Sequence, residues 1–130
     1  MDNSKKYIEM CEKAVEIQRL WKPRAGDVCS PRFSNDATWI VRFNTGFSEL
    51  KEKDIIWLPR QDQLQQMTKD LSPLLKLETF LDFCFRIYDK YSIQRNDYAN
   101  EFSESMEQLW LIFVMEEKYK KVWAEEDWRE

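Results

Sequence analysis

Residues 54–66 read DIIWLPRQDQLQQ, and the change of period inside that stretch decides the fold. Ile55, Ile56, Trp57 and Leu58 form a short apolar run, rich in β-branched and aromatic side chains, which predicts a strand over 54–58. Pro59 cannot donate to a sheet ladder, so it ends the strand, and it suits the first turn of a helix. Asp62 then falls near the positive end of that helix. Leu64, Met67 and Leu71 recur at helical spacing, which predicts a helix over 60–71. The chain therefore passes from sheet to helix at this point.

Upstream, residues 4–21 read as one amphipathic helix. Asn3 or Ser4 can cap it, and Tyr7, Met10, Cys11, Ala14, Ile17 and Trp21 share one face. Glu9 and Lys13 form an i,i+4 pair in the favoured order. Pro23 ends the helix near Lys22. Gly26-Asp27 is a turn signal, and Val28 and Cys29 begin a strand that Pro31 ends. Residues 38–43 (TWIVRF) carry the strongest strand pattern. Asn44-Thr45-Gly46 predicts a tight turn, with residues 47–50 pairing back. Together these predict a small antiparallel sheet of three to four short strands within 27–58.

Downstream, Ser72-Pro73 opens a helix over 73–91 that is apolar almost all round. Such a helix is expected at the centre of a core or in an interface. Residues 92–104 are polar and read as a loop. Ser105 and Gln108 fit a capping box for a last helix over 106–123. Residues 124–130 read as a charged, frayed tail onto which Trp128 could dock. The whole predicts a single α+β domain, 1–130: N-terminal helix 4–21, sheet 27–58, helical part 60–123, tail 124–130.

Composition supplies the exclusions. The 130 residues include no histidine and two glycines, Gly26 and Gly46. Without histidine there is no Ser-His-Asp or Cys-His catalysis and no His-bearing zinc site. With two glycines this far apart there is no Gly-rich phosphate or dinucleotide loop. Six tryptophans and a 43% hydrophobic content can build a core, so the 34% of charged residues reads as a solvated surface. Cys11, Cys29 and Cys84 form no CxxC pair and predict reduced, buried thiols in a cytoplasmic protein. No signal peptide and no membrane span are predicted, because the longest apolar run is only residues 109–115. Residues 91–130 hold five basic and ten acidic groups, which argues against phosphate-backbone binding there. Lys22, Arg24, Arg32 and Arg42 could form a local basic patch.

Three segments carry a resemblance: YIEMCEKAVEIQRLW (7–21), IWLPRQDQLQQ (56–66) and SMEQLWLIFVMEEKYKKVW (105–123). They resemble, in the same order, short uncharacterised proteins encoded in phage and prophage regions of Gram-positive bacteria. Those proteins carry a WLPxQDQLQ segment mid-chain and an EQLWLxFVMxEKY segment near the end. Residues 22–55 match poorly and are where the specificity of this member would lie. The resemblance implies origin and compartment, and brings no catalytic residues.

The sharpest local feature is Trp57-Leu58-Pro59-Arg60-Gln61-Asp62-Gln63. Read functionally, Trp57, Arg60, Gln61 and Gln63 present a recognition edge. Read structurally, the same residue types are a strand end followed by a helix start. Trp39, Phe43 and Phe47 beside Arg42 could stack single-stranded bases, or line the core. Glu116-Glu117 and Glu125-Glu126-Asp127 are adjacent on the chain and do not converge on one point. The leading expectation is a non-enzymatic phage or prophage accessory protein. It needs no cofactor or metal and binds a macromolecule, foremost a protein or a second copy of itself. The alternative is a nucleic-acid-associated factor in phage replication or regulation. A carboxylate-and-metal hydrolase is the third reading.

Overall fold

Ser4 starts the first helix: in extended conformation, its hydroxyl accepts from the Tyr7 amide at 3.2 Å. The computed structural model describes residues 1–32, 39–40, 55–68, 70–91, 104–124 and 126–130. Where one helix was expected over 4–21, two form: α1 (Lys5–Lys13) and α2 (Val15–Arg19), separated by Ala14 at φ −81°, ψ 69°. The cause lies outside the helix. The Gln18 side chain donates to the Cys11 carbonyl at 3.0 Å and to the Trp57 carbonyl at 2.9 Å, and accepts from the Trp57 amide at 2.9 Å. One amide group thus answers a carbonyl of α1 and both backbone groups of a strand residue. The expected Glu9–Lys13 pair forms at 3.2 Å.

The α+β class holds. Strands β1 (Val28–Pro31), β2 (Trp39–Ile40) and β3 (Ile55–Leu58) make an antiparallel sheet in the order β2-β1-β3. Its register pairs Cys29 with both Trp39 and Trp57. Gly26 enters β1 at φ +93°, a conformation that L side chains rarely adopt. All four residues of β3 are buried. The expected turn at 44–46 and the pairing of 47–50 lie outside the described residues.

Helix α3 (Gln61–Gln66) is shorter than expected. Its cap is Arg60, so Pro59 stands one residue before the cap and not in the first turn. Lys76 donates to the Gln65 carbonyl at 2.9 Å and closes the far end of α3. Helix α4 (Pro73–Tyr91) has the expected bounds, but it is not central. That place belongs to α5 (Met106–Tyr119), whose residues 110–115 are all buried. Phe80 stacks on Trp110 at 3.9 Å, Phe83 meets Phe113 at 5.3 Å, and Arg86 pairs with Glu116 at 2.8 Å. These contacts step along both helices together, so α4 and α5 run parallel.

The last helix ends at Tyr119, earlier than expected, because Lys120 takes the left-handed conformation (φ 57°). The Lys121 amide then reaches back to the Met115 carbonyl at 3.2 Å. The expected frayed tail is instead a hairpin of β4 (Val122–Ala124) and β5 (Asp127–Arg129). Trp128 fixes it: the ring is buried against Trp123, 5.0 Å between centroids, and its indole N–H donates to the Met10 carbonyl at 3.0 Å. Lys13 also donates to the Glu126 carbonyl.

The other chain end is tied to the start of α5. Asp2 accepts from Ser105 at 2.5 Å, from buried Gln108 at 2.8 Å and from the Ser4 amide at 2.8 Å. Gln108 accepts in turn from the Glu104 amide at 3.0 Å, so half of the expected capping box is shifted by one residue. Burial opposes ionisation of Asp2, but the hydrogen bonds from Ser105, Ser4 and Gln108 outweigh it and hold the carboxyl below its ordinary value.

Two predictions follow from these ends. Since the folded carboxyl of Asp2 titrates lower than the unfolded one, its contribution is complete above the ordinary aspartate range and lost as pH falls through the folded value. Asp2→Asn should therefore flatten the acid limb of a stability-against-pH curve measured by urea melts, and cost about 1 kcal/mol at neutral pH. Lys120→Gly should raise stability by roughly 0.5–1 kcal/mol, because glycine adopts positive φ without a Cβ clash. Equal or earlier unfolding of that variant in urea would contradict it.

Candidate functional site

Asp27 organises the junction that the sequence singled out. Its carboxylate is 3% exposed. It accepts from the Trp21 indole and the Arg24 amide, each at 2.9 Å, and from the Gln63 side chain at 2.7 Å. Arg60 stands 3.5 Å away and donates to the Gly26 carbonyl at 2.8 Å. Arg60 also holds Asp62 at 3.0 Å, while Gln63 accepts from the Arg60 amide at 2.9 Å. Tyr7 donates to the Pro59 carbonyl at 2.5 Å, and burial raises its phenol well above the ordinary value. The strand end, the cap of α3 and the turn before β1 are thereby sewn into one unit.

Three of the four predicted recognition residues are thus held in internal contacts. Trp57 is 5% exposed and stacks on Trp21, with centroids 6.1 Å apart and planes 6° from parallel. Arg60 and Gln63 are bound to Asp27, Asp62 and backbone. Only Gln61 keeps its amide uncommitted among the described residues.

Beside this unit lies an open groove of about 330 Å³, lined by Leu20, Trp21, Lys22, Arg24, Asp27, Trp57, Gln63, Gln66, Met67 and Lys118. The structure brings together Lys22 and Arg24 of the expected basic patch and adds Lys118 from α5. Arg32 instead pairs with Glu12 at 3.0 Å, and Arg42 lies outside the described residues. Sequence reasoning missed Lys118 and the role of Trp21. Only the helical phase of Trp21 hinted at it, since it put that ring on the buried face.

A second surface is the outer side of α4. Leu74, Leu77, Leu81 and Phe85 recur three or four residues apart and are 81%, 54%, 45% and 62% exposed. Leu75 flanks them, 46% exposed. The opposite side of the helix holds Phe80 and Phe83 in the core.

Catalytic groups are less evident. Among the described residues no group of three His, Cys, Asp or Glu could hold a metal ion. Burial pushes the Cys29 thiol up to about 11, and the thiols of Cys11 and Cys84 also lie above their ordinary value. Glu116 answers Arg86. Of the proposed base-stacking trio, the Trp39 side chain, Phe43 and Phe47 lie outside the described residues. No family model, no curated protein and no solved structure matches the chain.

If Asp27 is structural, Asp27→Ala should cost about 3 kcal/mol in urea unfolding, since it removes the buried carboxylate that the Trp21, Gln63 and Arg24 donors share. Arg60→Ala, at a one-third exposed position, should cost no more than about 1 kcal/mol. Near-neutral behaviour of Asp27→Ala would show that the junction does not hold the fold.

Proposed function

We propose that this chain is a non-enzymatic accessory protein of phage or prophage origin that works by binding another protein, with the outer face of α4 as its contact surface. One observation carries the reading. Five large apolar side chains stand in solvent on a helix whose other side is locked into the core by Phe80 and Phe83. Single exposed apolar residues are ordinary, but a continuous stripe on a fixed helix marks an interaction surface. Anchored helices with apolar residues at i, i+3, i+7 and i+11 suit contact with a complementary groove or helix.

The non-enzymatic part is supported by how the polar groups are used. Asp27, Gln18 and Gln108 are consumed in internal hydrogen bonds, and the thiols are held protonated by burial. The origin rests on the resemblance of segments 7–21, 56–66 and 105–123. The proposed compartment is the bacterial cytoplasm, supported by three free cysteines. Among the described residues, no helix is long and apolar enough to cross a membrane.

A photo-reactive amino acid at position 77 or 85 tests the proposal in prophage-induced cells. Both positions should give the same discrete protein adduct, lost when Leu81→Glu is added, while position 5 on the far side of α1 should not. Adducts equally strong from position 5, or none from α4, would remove the reading. An adduct of twice the chain mass would identify the partner as a second copy.

A further inference from the structure

The groove beside Trp21 has a charge pattern at odds with the chain around it. The protein carries a net charge of −4, yet three cations, Lys22, Arg24 and Lys118, rim this depression. Among the described residues none of the three side chains enters an ion pair, whereas Lys13, Arg32, Arg60, Arg86 and Lys121 all do. The one acid in the lining, Asp27, is buried and turned to Trp21, Arg24 and Gln63 with Arg60 3.5 Å away, so cations outnumber acids three to one around the rim. Unpaired like charges held close together raise one another's energy, and an anion brought among them relieves it.

The floor is apolar. Trp57, Trp21, Met67 and half-exposed Leu20 supply it, and Gln66 lines it beside them. Trp21 cannot shift freely, because its indole N–H is held by Asp27 and one face lies on Trp57. The site is thus a rigid apolar floor within a cationic rim, at the small end of the volume range for ligand sites. Its openness suits a chain lying across it more than an enclosed small molecule.

We propose that this groove docks an acidic peptide segment of a partner protein carrying one large apolar side chain. The apolar side chain sits over Leu20, Trp21 and Met67, and flanking carboxylates pair with Lys22, Arg24 and Lys118. A single-stranded nucleic acid fits less well. Trp57 is almost fully buried and Trp21 spends one face on it, so the pair offers no open slot for successive bases. Three cations amid an acidic chain also make a short electrostatic footprint for a phosphate backbone. The inference stands on different residues from the α4 surface, and either can fail alone.

The test titrates the full chain with a synthetic Glu/Asp-rich octapeptide bearing a central leucine. Parallel arms use the same peptide with alanine at the centre, its Gln/Asn counterpart, and a thymidine oligonucleotide. The leucine peptide should bind saturably, with a Kd on the order of 100 µM, and weaken several-fold on raising salt from about 0.05 M to about 0.5 M. The alanine and Gln/Asn peptides should each bind at least about fivefold more weakly. In the unmodified chain the indole N–H resonances of Trp21 and Trp57 should move on titration while that of Trp128 stays. Lys22→Glu/Arg24→Glu/Lys118→Glu should lose about tenfold or more in affinity at an unchanged thermal midpoint, and Lys5→Glu should not. Absence of saturable binding, equal binding of the Gln/Asn peptide, unmoved Trp21 and Trp57 resonances, or tighter binding of the oligonucleotide would each overturn the proposal.

Discussion

Everything else in this fold depends on the burial of α5 on all sides. Six consecutive residues, 110–115, are out of solvent, and a helix tolerates that because it satisfies its own backbone groups. Each neighbour then has to present an apolar face to it. Tyr7, Met10 and Cys11 of α1, Leu64 of α3, Phe80 and Phe83 of α4, and Trp128 of β5 all belong to the same core. Where α5 begins a polar group is buried with partners: Gln108 meets Asp2, Ser4 and the Glu104 amide.

Two other polar side chains, Gln18 and buried Asp27, likewise join segments distant in sequence. Gln18 answers Trp57 across 39 positions, and Asp27 is reached by Gln63 across 36. An unpaired amide or carboxylate in these places would cost about 1–3 kcal/mol, so their partners are fixed. That explains why the WLPRQDQ motif is so sharp yet offers so little to a ligand. Its arginine and second glutamine are bound inward to hold a strand end and a helix start together. The proposed contacts fall instead to the leucines and phenylalanine outside α4, and to three groove cations that enter no ion pair among the described residues.

What could be read from the sequence followed from local signals. Ser72-Pro73 marks the start of α4, Gly26 marks the turn before β1, and the period change at Pro59 marks the passage from sheet to helix. The break at Ala14 has no local signal, because it is set by Gln18 reaching a strand in another part of the chain. The end of α5 has none either: a lysine takes the left-handed position where glycine or asparagine would have announced it. The C-terminal hairpin was hidden by its charged composition, since what holds it down is Trp128 on the Met10 carbonyl and Lys13 on the Glu126 carbonyl, both of them contacts with α1. The apolar circumference of α4 left two places open, the centre of the core or an interface, and the centre is not where it lies. The run 109–115 in α5 had the stronger claim, being continuous where α4 alternates with Lys76, Glu78, Asp82 and Arg86. The groove was illegible because Trp21, Trp57 and Lys118 come from three elements.

The two proposed contact surfaces share a construction. Behind the α4 stripe, Phe80 lies flat on Trp110 and edge-on to Phe113; behind the groove, Trp21 runs parallel to Trp57 and offset from it. In both, the deeper tryptophan is buried, its indole N–H without a partner among the described residues. The indole stacks over a larger area than a phenylalanine ring there would. What the indole adds is a broad flat surface that fixes the ring above it. A contact surface whose supporting helix or ring is held in this way needs little reordering of its backbone when a partner arrives, and reordering is one of the main costs of association. The aromatic richness of the chain therefore has a reading beyond core volume: it stiffens, from beneath, the parts of the surface that the polar groups have left uncommitted.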